Sequence, residues 1–205
     1  MLANLAGVLF DGIAYGSLLF LISVGLSVTM GMMNFINLAH GAFAMLGGYV
    51  SVTVLSRLGV PFLASLPLAF IASALVGLVL ERLLYRRLYK ASHLDQVLFS
   101  IGLTFMSVAA ATYFFGPTQQ PVTLPDWLRG QVSLFGLDVG AYRLFLIGVV
   151  VLVTIALGLL IERTRFGAQI RASVDNQTAS AGLGINVSLV FSLTFALGSG
   201  LAGLG

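Results

Sequence analysis

The sequence predicts an all-α, polytopic transmembrane helix bundle of about six spans, and three observations carry that reading. Of 205 residues, 59% are hydrophobic and only 8% charged, against about 25% charged in an ordinary soluble domain. Mean hydropathy is +1.05. There are 24 glycines and no cysteine, so stability has to come from helix packing in lipid and not from a disulfide framework. The basic balance of 10 Lys and Arg over 7 Asp and Glu does not imply a nucleic-acid partner. The positive residues flank apolar spans instead of forming a folded basic face.

The N-terminus, MLANLAGVLF, has no basic region, and its first charge is Asp11. That favours a retained first span over a cleaved signal peptide. A membrane helix needs about 20 apolar residues. No formal charge occurs between Asp11 and Arg57, which leaves room for spans at roughly Leu5–Met30 and Gly41–Ser56. The polar break between them is GMMNFINLAHG. A third span, roughly Pro61–Leu80, stops at ERLLYRRLYK, and a fourth, roughly Gln96–Phe115, stops at GPTQQP. A polar segment with Trp127 follows, in which Val132, Leu134, Leu137 and Val139 alternate around Gly136 as in a small exposed hairpin. The fifth span is roughly Tyr142–Ile161 and a sixth begins near Val187.

Charge sets the orientation. Arg82, Arg86, Arg87 and Lys90 lie between the third and fourth spans, and Arg163, Arg165 and Arg171 between the fifth and sixth. Two spans separate these loops, so they share one side, and the positive-inside rule makes it cytoplasmic. Loops 81–95 and 162–186 are then cytoplasmic and 116–141 extracytoplasmic, with the seven basic residues as topology anchors. The chain is expected to form a single transmembrane domain over 1–205. Its close on GSGLAGLG, without a polar tail, predicts a chain truncated at its C-terminus.

No ionisable residue falls at a span centre. Asp11 reads as a helix cap or first-turn charge, and Glu81 and Glu162 as interface anchors. Uphill transport would therefore draw energy from outside the bundle, since ion-coupled carriers hold their ion on such a group. The small-residue pairs Gly12 and Gly16, Ala44 and Gly48, Ser73 and Gly77, and Ala196 and Gly200 fit close helix approach. No catalytic residue and no metal cluster is expected. No GxxxxGK[ST] motif is present, so the chain needs no cofactor of its own and any ATP binds elsewhere.

Two segments are candidate sites. Asn34, Asn37, His40 and Gly41 recur every three or four residues and on a helix would share a face. Amides and an imidazole offer donors and acceptors without net charge, which suits a zwitterionic or neutral polar solute. They are either a polar stripe on a translocation path, where a helix breaks, or an ordinary turn with His40 at the water interface. The second segment is TRFGAQIRASVDNQTASAGLGIN, residues 164–186, which is long for a connector between helices. Asp175 or Asn176 can cap a short helix over Gln177–Leu183, and Gly184 can end it in a left-handed turn. The face of Ala179, Ala181, Gly182 and Leu183 is uncharged and suits docking into a groove. A solvated connector competes with that reading.

With MNFINLAHGAFAMLGGYV, ERLLYRRL and TRFGAQIRASVDNQTASAGLGINVSLVFSLTFALGSGLAGLG in order, the chain resembles the permeases of branched-chain amino acid ABC transporters, in the group without a long N-terminal cytoplasmic tail. The resemblance implies a subunit of an ATP-driven importer in a bacterial inner membrane, forming half of a path for branched-chain or related amino acids. It also implies a second homologous permease, two cytoplasmic ATPase subunits that use the ATP, and an extracytoplasmic solute-binding protein. Residues 164–186 then form the coupling segment, with Asn176, Ala179, Gly182, Gly184, Ile185 and Asn186 at the ATPase. The match departs from the general importer pattern at Thr178-Ala179-Ser180, which stands where Glu-Ala-Ala is expected, so the acid is missing. A urea or short-amide permease is the rival within the class, and an ion-coupled carrier or channel the rival outside it.

Overall fold

The computed structural model describes residues 2–33, 35–89, 91–134 and 137–205. Six of its helices are long and apolar enough to cross a membrane. They are α1 (Leu2–Met33), α2 (His40–Leu58), α3 (Phe62–Leu83), α4 (His93–Phe115), α6 (Ala141–Arg163) and α9 (Val187–Leu204). Between α4 and α6 lie the short helix α5 (Asp126–Arg129) and the antiparallel strands β1 (Gln131–Leu134) and β2 (Leu137–Gly140), with Val132 opposite Val139. The expected hairpin is therefore present, although its tip at 135–136 lies outside the described residues. Two further helices, α7 (Arg165–Asp175) and α8 (Gln177–Gly182), precede α9.

The bundle is built around α9. Two thirds (67%) of its apolar window is buried, against 6% for α4. α1, α2 and α3 wrap it. In lipid the apolar surfaces of α1, α3, α4 and α6 gain nothing by meeting each other, so association rests on close packing of small residues. That packing is visible at Gly25 against Gly198, at Gly47 against Gly203, and at Ser73 and Gly77 against Gly203 and Ser199. A Cβ added at Gly47 would overlap the carbonyl of Gly203. Of the small pairs expected from sequence, Ser73 and Gly77 serve this contact and Gly200 lies under Phe70. Gly12 and Gly16 instead meet nothing within 4 Å. The remaining core is an aromatic cluster of Phe35, Phe43, Tyr85, Phe191 and Phe195, and an aliphatic one of Leu21, Val28, Val150, Val153, Leu157 and Leu201.

Hydrogen bonds sort the helix ends into two groups. Tyr85 reaches Asn37, Gln96 reaches Ile36, and Ser192 reaches Glu81. These contacts gather the end of α3 and the starts of α2, α4 and α9 at one end, which also carries most of the arginines. Asp11 pairs with Arg143 at the opposite end. Asp11 is not a cap or first-turn charge, because α1 begins at Leu2 and places it in the third turn. Glu81 is not an interface anchor either: it is wholly buried. Glu162 is exposed, as an anchor would be.

Candidate functional site

Within the segment expected to couple, residues 176–186 form a capped helical unit. Asn176 Oδ1 accepts the backbone N–H of Ala179 at 2.9 Å, which starts α8. At its other end Gly184 has φ +84°. Gly184 N–H bonds Ala181 O and Ile185 N–H bonds Ser180 O, both at 3.0 Å. This is the paired 5→2 and 6→1 pattern of a Schellman stop, which needs a left-handed residue at the position Gly184 fills. Asn186 Oδ1 then accepts from Leu189 N–H at 3.0 Å and starts α9. The two asparagines thus spend their side-chain oxygens on the chain's own helices. Only Ser180 of α8 points inward. Ala179, Ala181, Gly182 and Leu183 are exposed, Leu183 at 82%.

Sequence reasoning missed α7, read only as a basic stretch. Thr164 caps it by accepting Gly167 N–H at 3.1 Å. Gly167, Ile170 and Ser173 form its buried stripe. That three-residue spacing is the signal that would have revealed it. Gly167 sits so close to the Ile161 carbonyl that a Cβ would overlap it, and Arg171 donates to that same carbonyl. Arg171 therefore covers an orphan carbonyl at the α6 C-terminus besides supplying charge. Arg163 and Arg165 are exposed, as are Arg82, Arg86 and Arg87. Arg82 and Arg86 border a polar cleft of about 330 Å³ with Asn186, Ser188, Leu189 and Ser192. Lys90 lies outside the described residues.

The other candidate site is a break between helices. Asn34 lies outside the described residues, and residues 35–39 are non-helical. Asn37 and His40 consequently do not share a helix face: Asn37 precedes α2 and His40 begins it. Gly41 is exposed. His40 is also not at the water interface. It is 5% exposed, and its Nε2 lies 3.0 Å from the carbonyl oxygen of Ile22. Ile22 is roughly 16 Å along α1 from the helix end, at 1.5 Å per residue. Since that carbonyl can only accept, Nε2 carries the proton and Nδ1 is a bare acceptor. Asn37 Oδ1 accepts from Tyr85 Oη and from Ala39 N–H, both at 3.0 Å. Among the described residues, Asn37 Nδ2 and His40 Nδ1 have no hydrogen-bond partner. The break thus presents one donor and one acceptor, both uncharged, inside the bundle.

A turn of 3-10 helix, Tyr85–Leu88, links this break to the rest. Tyr85 is wholly buried and meets Phe35, Phe99 and Phe195. Gln96 bridges Leu88 O at 3.2 Å and Ile36 N–H at 3.4 Å. Burial pushes the Tyr85 phenol above the usual tyrosine range, so it remains a neutral donor to Asn37.

The sequence model of the branched-chain amino acid transport system permease component matches residues 8–205. The chain is 31% identical over 205 residues to the high-affinity branched-chain amino acid transport system permease protein BraD of Pseudomonas aeruginosa, covering 95% of this chain and 67% of that one. It is 31% identical to the probable branched-chain amino acid transport permease protein LivH of Methanocaldococcus jannaschii, over 96% of this chain and 64% of the relative. The LivH protein of Escherichia coli is 27% identical, over 95% and 67%. The chain therefore spans about two thirds of the length of these curated relatives. No solved structure matches. With six apolar spans and this likeness along nearly its whole length, the chain belongs to the branched-chain amino acid transport permease family, as a multi-pass inner-membrane permease subunit of an ABC importer.

Proposed function

We propose that this chain forms half of a translocation path for branched-chain or related amino acids, worked by ATP that partner subunits bind. The carrying observation is α8: uncharged and exposed on its outer face, capped at both ends, and joined by only two residues beyond its Schellman turn to the buried α9. Ala179, Gly182, Leu183 and the turn at Gly184 and Ile185 dock against an ATPase, while Asn176 and Asn186 hold the helix in shape. This places loops 81–95 and 162–186 in the cytoplasm, consistent with their arginines. Two ATPases, a second homologous permease and an extracytoplasmic binding protein complete the machine.

Closure of the ATPase pair pushes α8 as a rigid lever, and α9 carries the displacement to α1, α2 and α3. The break at Asn37 and His40, closed in this conformation, then opens to solute. Its neutral donor and acceptor suit the polar end of a zwitterion. The chain itself performs no covalent chemistry.

The test is uptake into vesicles containing the complete transporter. Leucine, isoleucine or valine should enter only with ATP and loaded binding protein. Uptake of urea or short amides instead would move the substrate class. Uptake driven by an ion gradient without ATPase subunits would overturn the proposal.

A further inference from the structure

The geometry points to Glu81 as the positioning residue that passes movement of the docking helix to the Asn37–His40 break. This rests on the reading of α8 as the ATPase contact. Glu81 is wholly buried, two residues before the end of α3. Its Oε2 accepts from Ser192 Oγ on α9, and its Oε1 accepts from Tyr89 Oη at 2.5 Å. No cation pairs with it among the described residues. Arg82 and Arg86, its neighbours in sequence, are exposed along the polar cleft.

A buried carboxyl group whose partners among the described residues are two hydroxyls stabilises a fold poorly, because its desolvation is offset by hydrogen bonds alone. Its placement explains it better. Ser192 lies in the second turn of α9, six residues past the Asn186 cap that ends the docking unit. Tyr89 lies one residue beyond the 3-10 turn and packs edge-on against Phe35 of the break and Phe191 of α9. Burial first, and the Glu81 hydrogen bond next, push its phenol above the usual range, so it stays a donor. The same turn carries Tyr85, which donates to Asn37. Among the described residues, Glu81 is thus the one side chain bonded both to the helix that α8 moves and to the segment that holds the break in place. Hydrogen bonds from two hydroxyls to the two oxygens of one carboxyl group fix its geometry on both sides, which suits a link that must not slip.

The experiment uses the complete transporter in proteoliposomes, with solute uptake and ATP hydrolysis measured together. Glu81→Leu should retain ATPase binding and an unchanged KM for loaded binding protein. Uptake per ATP should fall about tenfold, within the range of coupling between linked sites. Glu81→Gln, which can bond both hydroxyls, should restore most of it. Wild-type uptake per ATP in Glu81→Leu overturns the inference, and so does an equal loss in both variants. If Glu81→Leu does not assemble, Tyr89→Phe and Ser192→Ala form the test, since each removes one bond and keeps the packing. The double variant should be no worse than the poorer single one, because a chain cut once is already cut. Losses that add independently overturn the inference. Wild-type uptake without any need for ATP would instead defeat the underlying reading of α8.

Discussion

Replacing Gly184 by valine isolates the shape of the docking unit from its contacts. Gly184 sits at φ +84°, and a Cβ there would meet nothing within 4 Å. The penalty is therefore one of backbone conformation and not of collision. A left-handed backbone costs an ordinary L-residue roughly 1–2 kcal/mol, and a β-branched one stands at the upper end. That is about a 5- to 30-fold loss in the population of the native turn. The turn holds Gly184 N–H on Ala181 O and Ile185 N–H on Ser180 O, so losing it frees the last turn of α8 from its fixed angle to α9. Uptake per ATP should fall by a similar factor, while membrane insertion and the spans stay intact. Gly148→Ala is the control, because Gly148 is helical in α6, away from α8, and has open space around it. Alanine there favours the helix by roughly 1 kcal/mol. Coupled uptake and hydrolysis in proteoliposomes give the readout. Wild-type coupling in Gly184→Val would refute the idea that the angle between α8 and α9 transmits work.

Leu183→Glu, at a position of the proposed docking face that is 82% exposed, should abolish copurification of the ATPase without changing yield in the membrane. Affinity pull-down from detergent extracts checks this. His40→Leu removes the donor to Ile22 O and should lower uptake while ATPase subunits still assemble, as transport and pull-down together would show. Asn37→Leu also strands the Tyr85 hydroxyl and the Ala39 N–H. At roughly 1–3 kcal/mol for each buried unsatisfied group, it should lower thermal stability as well as uptake. Gly47→Leu should prevent assembly of the bundle, because α2 and α9 are in backbone contact there, whereas Gly48→Leu should be tolerated. Thermal denaturation in detergent separates the pair.

The spans were legible because the membrane imposes one rule on all of them: length and apolarity without charge. The boundaries Gln96–Phe115 and Tyr142–Ile161 fall within three residues of α4 and α6 at each end. The caps of α8 were legible for a local reason, since Asn176 and Gly184 act on backbone groups a few residues away. What could not be read was burial. Glu81 stands near a span end, and sequence position gives depth along the membrane normal but not distance from the bundle axis. His40 was misplaced for a related reason. His40 meets Ile22 well inside α1, so a residue next to an interhelical break lies deep inside the protein. α7 escaped because its buried stripe is Gly167, Ile170 and Ser173, of which only Ile170 is clearly apolar.

The contrast between α7 and α9 would give the proposed push on α8 a direction. Both flank α8, and both contact α1. α7 is fastened across the end of α6 by the Gly167 approach and by Arg171 on Ile161 O. α6 meets the bundle mainly through α1, along an aliphatic seam of Leu21, Val28, Val150, Val153 and Leu157. Such a seam lacks directional bonds and can slide at small cost. α9 is held differently: glycine contacts lock it to α1 and α2, and Ser73, Gly77 and Glu81 lock it to α3. Backbone contact of this kind does not slide, because close-packed surfaces pass from one arrangement to another without a continuum between them. The proposed displacement of α8 would therefore reach the helices around the polar break through α9, with α7 and α6 as a less constrained flank.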